Sequence, residues 1–158
     1  MPIVVRDALP EDAEPGSIAI RRSITELCFA DHRNDPAHLK EWLSNKTPEH
    51  FRAWMTQAGN SLLVAVGDGN ILGVGAVTDA GQINLLYVSP DARFCGISKA
   101  LLLALERRAA SRGGTACTLR SSETARRFYF SSGYVDAGPH EGPHRGYPMR
   151  KDFDPATS

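Results

Sequence analysis

The sequence predicts a mixed α/β sandwich, with helices packed on the two faces of one central sheet. Three observations point there. Between Gly59 and Val88 the hydrophobic pattern is extended, and two turn signals cut it into three strands joined by hairpins. On both sides of that block the apolar spacing is helical. The 158 residues, 42% apolar and 23% charged, fit one domain over 1–153 with a loose tail at 154–158.

The elements follow in order. Ile3 to Arg6 is a short β-favouring run, and Pro10-Glu11-Asp12 suits the opening of a helix. Ile20, Ile24, Leu27 and Cys28 recur at helical spacing within Ile18 to Phe29, a first helix. Asn34-Asp35-Pro36 and Thr47-Pro48-Glu49 each set a capping side chain before a proline suited to the first helical position, so two short helices begin there. Their buried stripes are Leu39, Trp42, Leu43 and Phe51, Trp54, Met55, with both tryptophans read as packing anchors.

Leu62 to Val66 and Ile71 to Val77 flank Asp68-Gly69, a hairpin signal because glycine supplies the positive φ of a tight turn. Asp79-Ala80-Gly81 closes a second hairpin into Ile83 to Val88, which Pro90 stops. Ala100, Leu101, Ala104 and Leu105 mark a long helix from Ile97, ended by Gly113-Gly114. Thr115 to Leu119 is a strand, Thr124 to Ser132 a helix, and Tyr147 to Phe153 a last strand.

Lysine plus arginine and aspartate plus glutamate each number 18, so the formal net charge is zero and no electrostatic footprint favours nucleic acid or an anionic membrane. The expected partner is small. No run approaches the ~20 apolar residues of a membrane span, and the first seven residues lack a secretory pattern, which together imply the cytoplasm. Cys28, Cys95 and Cys117 lack CxxC spacing and read as reduced thiols.

The chemistry concentrates at Leu85-Leu86-Tyr87-Val88-Ser89-Pro90-Asp91-Ala92-Arg93-Phe94-Cys95-Gly96-Ile97-Ser98-Lys99. A strand feeding a glycine turn that opens a helix aims free N–H groups and the positive end of the helix dipole at one point, which suits phosphate. Gly96 permits close approach, Ser98 adds a hydroxyl, and Arg93 and Lys99 add charge. From geometry alone a plain strand-to-helix turn fits as well. Neither G-x-G-x-x-G nor G-x-x-x-x-G-K-[ST] occurs, which excludes the dinucleotide fingerprint and the P-loop.

The stretch Arg93 to Ser98 resembles the acetyl-CoA signature of the GNAT N-acetyltransferase superfamily, [RQ]-x-x-G-x-[GA], with serine at the final small position. Downstream, Ser122 to Tyr134 resembles that family's N-x-x-A-x-x-[FL]-Y-x-x-x-G-[FY], with Ala125, Phe128, Tyr129, Gly133 and Tyr134 in register and serine in place of asparagine at 122. The resemblance implies a mostly antiparallel mixed sheet with one splayed parallel strand pair, flanked by helices. It also implies acetyl-CoA as co-substrate, bound by Leu86, Tyr87, Val88, Arg93, Phe94, Cys95, Gly96, Ile97, Ser98, Lys99, Ser122 and Ala125.

The implied reaction is direct attack of a primary amine of a small-molecule acceptor on the acetyl carbonyl. In the family's pattern Tyr129 is the acid that protonates the departing CoA thiolate; as a residue on an apolar helical stripe it also reads as a core aromatic. The base is open. Glu26 and Asp31 lie in a region that borders the family's acceptor pocket, Asn84 is placed to position a water, and His140 and His144 sit in a polar loop. Glycine and proline around those histidines forbid a helical metal pair, so no metal is expected. Two other classes fit the same motifs: an acetyl-CoA-binding sensor without turnover, and an acetylase of protein or peptide amines. A homodimer paired through the last strand is a further expectation.

Overall fold

The computed structural model describes residues 2–28, 33, 35–92, 95–140 and 146–153. Strand β1 (Val4–Asp7) leads through a 3-10 turn (Pro10–Asp12) into α1 (Ala13–Leu27), followed by α2 (Pro36–Leu43) and α3 (Pro48–Thr56). Then come β2 (Asn60–Gly67), β3 (Asn70–Thr78), β4 (Gln82–Val88), a 3-10 turn (Pro90–Ala92) and α4 (Ile97–Ser111). The chain ends with β5 (Ala116–Ser121), α5 (Arg126–Ser131), β6 (Val135–Asp136) and β7 (Tyr147–Asp152).

The seven strands form one sheet in the order β1-β2-β3-β4-β5-β7-β6. Among the described residues only the β4–β5 pairing is parallel. The mixed sheet with one parallel pair is the architecture expected, and helices cover both faces. Phe51, Ile20 and Ile24 pack with Val64, Val74 and Leu85 under α1 and α3, while Leu101 and Leu105 pack with Leu63, Val77 and Ile83 under α4.

Local chemistry explains most element ends. Asp35 accepts from the Ala37 N–H at 3.1 Å and Thr47 from the His50 N–H at 3.2 Å, each with proline in the first turn, so both expected caps are real. Asp68 and Gly69 turn the β2–β3 hairpin with φ of 52° and 78°. The first helix starts at Ala13 rather than Ile18, because Pro15 falls in its first turn, where no N–H is needed. Its expected last residue, Phe29, lies outside the described residues. The strand expected at Thr115 to Leu119 runs from Ala116 to Ser121, and the helix expected from Thr124 begins at Arg126 after a turn. Among the described residues no helix is long and apolar enough to cross a membrane.

A break in strand parity matters most for the site. β3 and β4 pair in register from Gly73 opposite Val88 to Ala76 opposite Leu85, then skip to Val77 opposite Ile83. Asn84 is the extra residue, a β-bulge. Residues two apart on a strand normally share a face, yet Ile83 packs in the α4 layer and Leu85 in the α1 layer. The bulge therefore re-aims the whole end of β4.

Candidate active site

β4 and β5 pair only at Gln82 opposite Thr118 and Ile83 opposite Leu119. Beyond the Asn84 bulge β4 runs on to Val88 and β5 to Ser121 with no pairing between them, so the sheet opens along its own hydrogen-bonding edge. A cleft of about 1090 Å³ occupies this opening. Leu86, Tyr87, Ser122, Ala125 and Tyr129 line it, together with Asn84, while Val88 packs toward the α4 layer instead.

Past β4, the 3-10 turn leads to Gly96, the N-cap of α4, whose φ of 76° is left-handed. A side chain there would be strained, and glycine brings none. No side-chain cap therefore satisfies the first turn, and the N–H groups of Ile97, Ser98 and Lys99 stand at the positive end of a 15-residue helix. Ile97 is buried at 1% exposure and offers this turn its backbone alone; Cys95, Gly96 and Lys99 are exposed and Ser98 half-buried. Arg93 and Phe94 lie outside the described residues. Arg22 of α1 grips the turn, reaching Asp91 at 2.7 and 3.1 Å. Its guanidinium holds the Asp91 carboxyl below the usual range.

Tyr129 is 6% exposed and sits edge-on to Phe128 and Tyr134, with ring centroids 5.3 and 5.6 Å away. Burial raises its phenol above the ordinary value, and the nearby Tyr87 hydroxyl adds to the rise. The group is thus both a core aromatic and a cleft-lining donor that stays protonated at neutral pH. Ser122, which stands where the family pattern has asparagine, uses its hydroxyl locally, accepting from the Ala125 N–H at 3.2 Å ahead of α5.

The expected base candidates scatter. Glu26 is exposed, held by Arg22 at 2.9 Å, and does not line the cleft. Asp31 lies outside the described residues, as does His144. Asn84 lines the cleft from the bulge. His140 lies at its rim, stacked on Tyr147 at 4.3 Å, with the Arg126 guanidinium 4.2 Å from that ring. Among the described residues no cluster of histidine, cysteine and carboxylates has the makings of a metal site.

Two cleft residues carry more than their sequence signal. Trp42, read as a packing anchor, does pack against the α1 layer, but it also lines the cleft and donates to the Tyr87 hydroxyl at 3.1 Å. Lys46, in the loop between α2 and α3, lines the cleft at 8% exposure. Burial lowers its ammonium pKa to about 8. Its Nζ donates to the Trp42 carbonyl at 3.3 Å and to Asn45 Oδ1. A lysine between two helices ordinarily reads as solvated, so only the tertiary fold reveals it.

The sheet opens between parallel strands beside a helix whose first turn no side chain caps, an arrangement suited to an extended ligand that carries an anion. The chain belongs to the GNAT acetyltransferase family: a family model described as an acetyltransferase (GNAT) domain matches residues 28–152. It is similar to a GCN5-related N-acetyltransferase from Rhodopseudomonas palustris, at 26% identity and a TM-score of 0.84, covering 97% of each chain. The PaiA N-acetyltransferase of Thermoplasma acidophilum in complex with coenzyme A shares the fold, with a TM-score of 0.85 at 20% identity over 97% of this chain and 100% of that one. An aminoglycoside 6'-N-acetyltransferase complexed with coenzyme A does so at 0.74 and 18%, covering 96% and 98%. No curated protein matches the chain. The protein is accordingly an N-acetyltransferase.

Proposed function

We propose that this enzyme moves the acetyl group of acetyl-CoA directly to a primary amine of a small-molecule acceptor, with Tyr129 as the acid toward the CoA thiolate. The observation that carries the reading is the opening of β4 from β5 beyond Ile83, with Tyr129 on its wall. The unpaired edge of β4 suits the amides of an extended pantetheine arm, which would pair with backbone groups at Leu86 and Val88 as a further strand does. The N–H groups of the turn from Gly96 to Lys99 suit the pyrophosphate. Coenzyme A complexes of two proteins with this fold support the same assignment.

Attack needs a neutral amine, and an alkylamine of pKa ~10.4 is neutral only about once in 10³ molecules at pH 7. The site must therefore select that form or take up its proton, and Asn84 stands where it would position a water for this. Negative charge gathers on the carbonyl oxygen as the amine adds, within reach of a β4 backbone N–H. When the intermediate collapses, the charge moves to sulfur. The buried Tyr129 hydroxyl keeps its proton through the earlier steps because its pKa is raised; it donates to sulfur as the C–S bond breaks, and the proton shed by the acetylated nitrogen returns to the phenolate through water.

Mixing the purified protein with acetyl-CoA and a panel of small primary amines tests this, with thiol release followed in solution and products weighed by mass spectrometry. An N-acetylated product with stoichiometric thiol is expected. Tight acetyl-CoA binding without thiol release across the panel would instead favour the sensor reading.

A further inference from the structure

Three charged side chains are buried among the described residues. Asp12 meets Arg6 at 2.7 Å, and Glu106 meets Lys151 at 3.1 Å. Lys46 is the exception: among the described residues no carboxylate lies within ion-pair distance of its Nζ. A desolvated charge without a counter-charge is unfavourable, and folds retain one where a ligand completes it. The Lys46 ammonium has three N–H donors; the Trp42 carbonyl and Asn45 Oδ1 take two. The residue lines the cleft, so the third donor is left for whatever occupies that space.

The rest of the cleft lining carries charges of both signs. Asp35, Glu41 and Glu123 contribute negative charge, and Arg33 and Arg120 add positive charge to that of Lys46. Asp35 already accepts from the Ala37 N–H, and Glu123 from the Tyr147 hydroxyl at 2.6 Å. Such a lining fits a molecule with an amine at one end and an anion at the other.

We propose that Lys46 is the anion seat of the acceptor site, so that the acceptor is an amine that also carries a carboxylate or phosphate group. The proposal rests on the reading of the cleft as the site of acetyl transfer. An ammonium acts as a point charge and does not choose between carboxylate and phosphate by shape, so the shared chemistry is the anion.

Matched acceptor pairs test it on the full chain: amino acids against their amides, and aminoalkyl phosphates against the amino alcohols. Binding to the CoA-loaded protein is read by calorimetry and turnover by thiol release, for wild type, Lys46→Met and Lys46→Arg. Wild type is expected to prefer the anionic member of at least one pair by about tenfold or more in both readouts. The pair that responds identifies carboxylate or phosphate. Lys46→Met should erase the preference by weakening the anionic member alone, with the acetyl-CoA KM unchanged, and Lys46→Arg should retain part of it. Equal handling of both members by wild type overturns the seat, as does an equal loss for both in Lys46→Met, which would leave Lys46 as a cap of α2. Anion-selective binding without thiol release would support the seat while removing the transfer reading. Thiol release indifferent to the anion would do the reverse.

Discussion

The indole Nε1 of Trp42 donates to the hydroxyl of Tyr87 at 3.1 Å, tying α2 to the end of β4 across the cleft. The two residues are 45 apart in sequence, and the bond fixes the helix wall against the strand that the Asn84 bulge has re-aimed. Trp42→Phe removes the donor and keeps an aromatic ring at the position. A net hydrogen bond of this kind is worth about 1 kcal/mol, equivalent to roughly fivefold in an equilibrium constant. The variant should raise the acceptor KM by about that factor and leave the acetyl-CoA KM alone. Steady-state kinetics with each substrate varied would expose an equal rise in both, which would mean the bond supports the whole fold rather than the acceptor wall.

Tyr129→Phe isolates a hydroxyl from its ring. The edge-on contacts with Phe128 and Tyr134 survive, so acetyl-CoA affinity measured by calorimetry should stay within about twofold. Turnover should fall by about 10²-fold, the low end for a positioned acid. Because burial raises the phenol's pKa, it keeps its proton through the neutral and mildly alkaline range, and wild-type kcat should show no falling limb below ~pH 10 from this group. A variant with undiminished kcat would take Tyr129 out of the proton path.

Hairpin turns and helix caps were legible in the sequence because local chemistry decides them. Asp35 and Thr47 cap as their side chains dictate, and Asp68-Gly69 turns the first hairpin. The bulge at Asn84 was not legible. In Ile83-Asn84-Leu85-Leu86-Tyr87-Val88 the apolar run is nearly continuous, which hides the change of face between Ile83 and Leu85. The same limit applies to Lys46 and Trp42, whose place in the cleft is set by how α2 and α3 pack on the sheet, a relation between distant segments that no short motif encodes.

The thiols report on the anion turn. Cys117 is buried in β5, and burial, reinforced by the Glu106 charge, pushes its thiol up to about 11. It should resist iodoacetamide at pH 8. Cys95 is exposed, adjoining Gly96 at the opening of α4. It should be alkylated readily by itself and slowly when acetyl-CoA saturates the protein, with modification located by peptide mass mapping. Labelling of Cys95 at the same rate with and without acetyl-CoA would move the pyrophosphate away from this turn.

Behind the far wall of the cleft, Glu106 of α4 accepts from the Tyr134 hydroxyl at 2.8 Å and from Lys151 of β7 at 3.1 Å. This pins the helix to the last strands beside the Tyr129 ring. Removing Lys151 leaves a buried carboxylate without its counter-charge, so Lys151→Met should cost about 3 kcal/mol in urea unfolding. Adding Glu106→Gln removes the stranded charge and should recover part of that loss, giving clear non-additivity in the cycle. Strictly additive losses would mean that the two side chains stabilise the fold independently.

Lys46 links stability to the proposed acceptor chemistry through pH. Its folded pKa of about 8 lies below the unfolded value of ~10.4, because burial disfavours the ammonium. Between those values the unfolded chain binds the extra proton, so this group makes stability rise with pH over that window. Below pH 8 the full penalty is present, at about 1.4 kcal/mol per pH unit of displacement, or about 3 kcal/mol at most. Lys46→Met abolishes the penalty, so at pH 7 it should unfold at higher urea than wild type, and the advantage should shrink between pH 8 and pH 10. An equal advantage at pH 7 and pH 9.5 would show that methionine merely packs better. A lysine whose removal stabilises the empty protein while erasing its preference for anionic amines is held in the fold for its ligand, since neither packing nor capping accounts for that pair of effects.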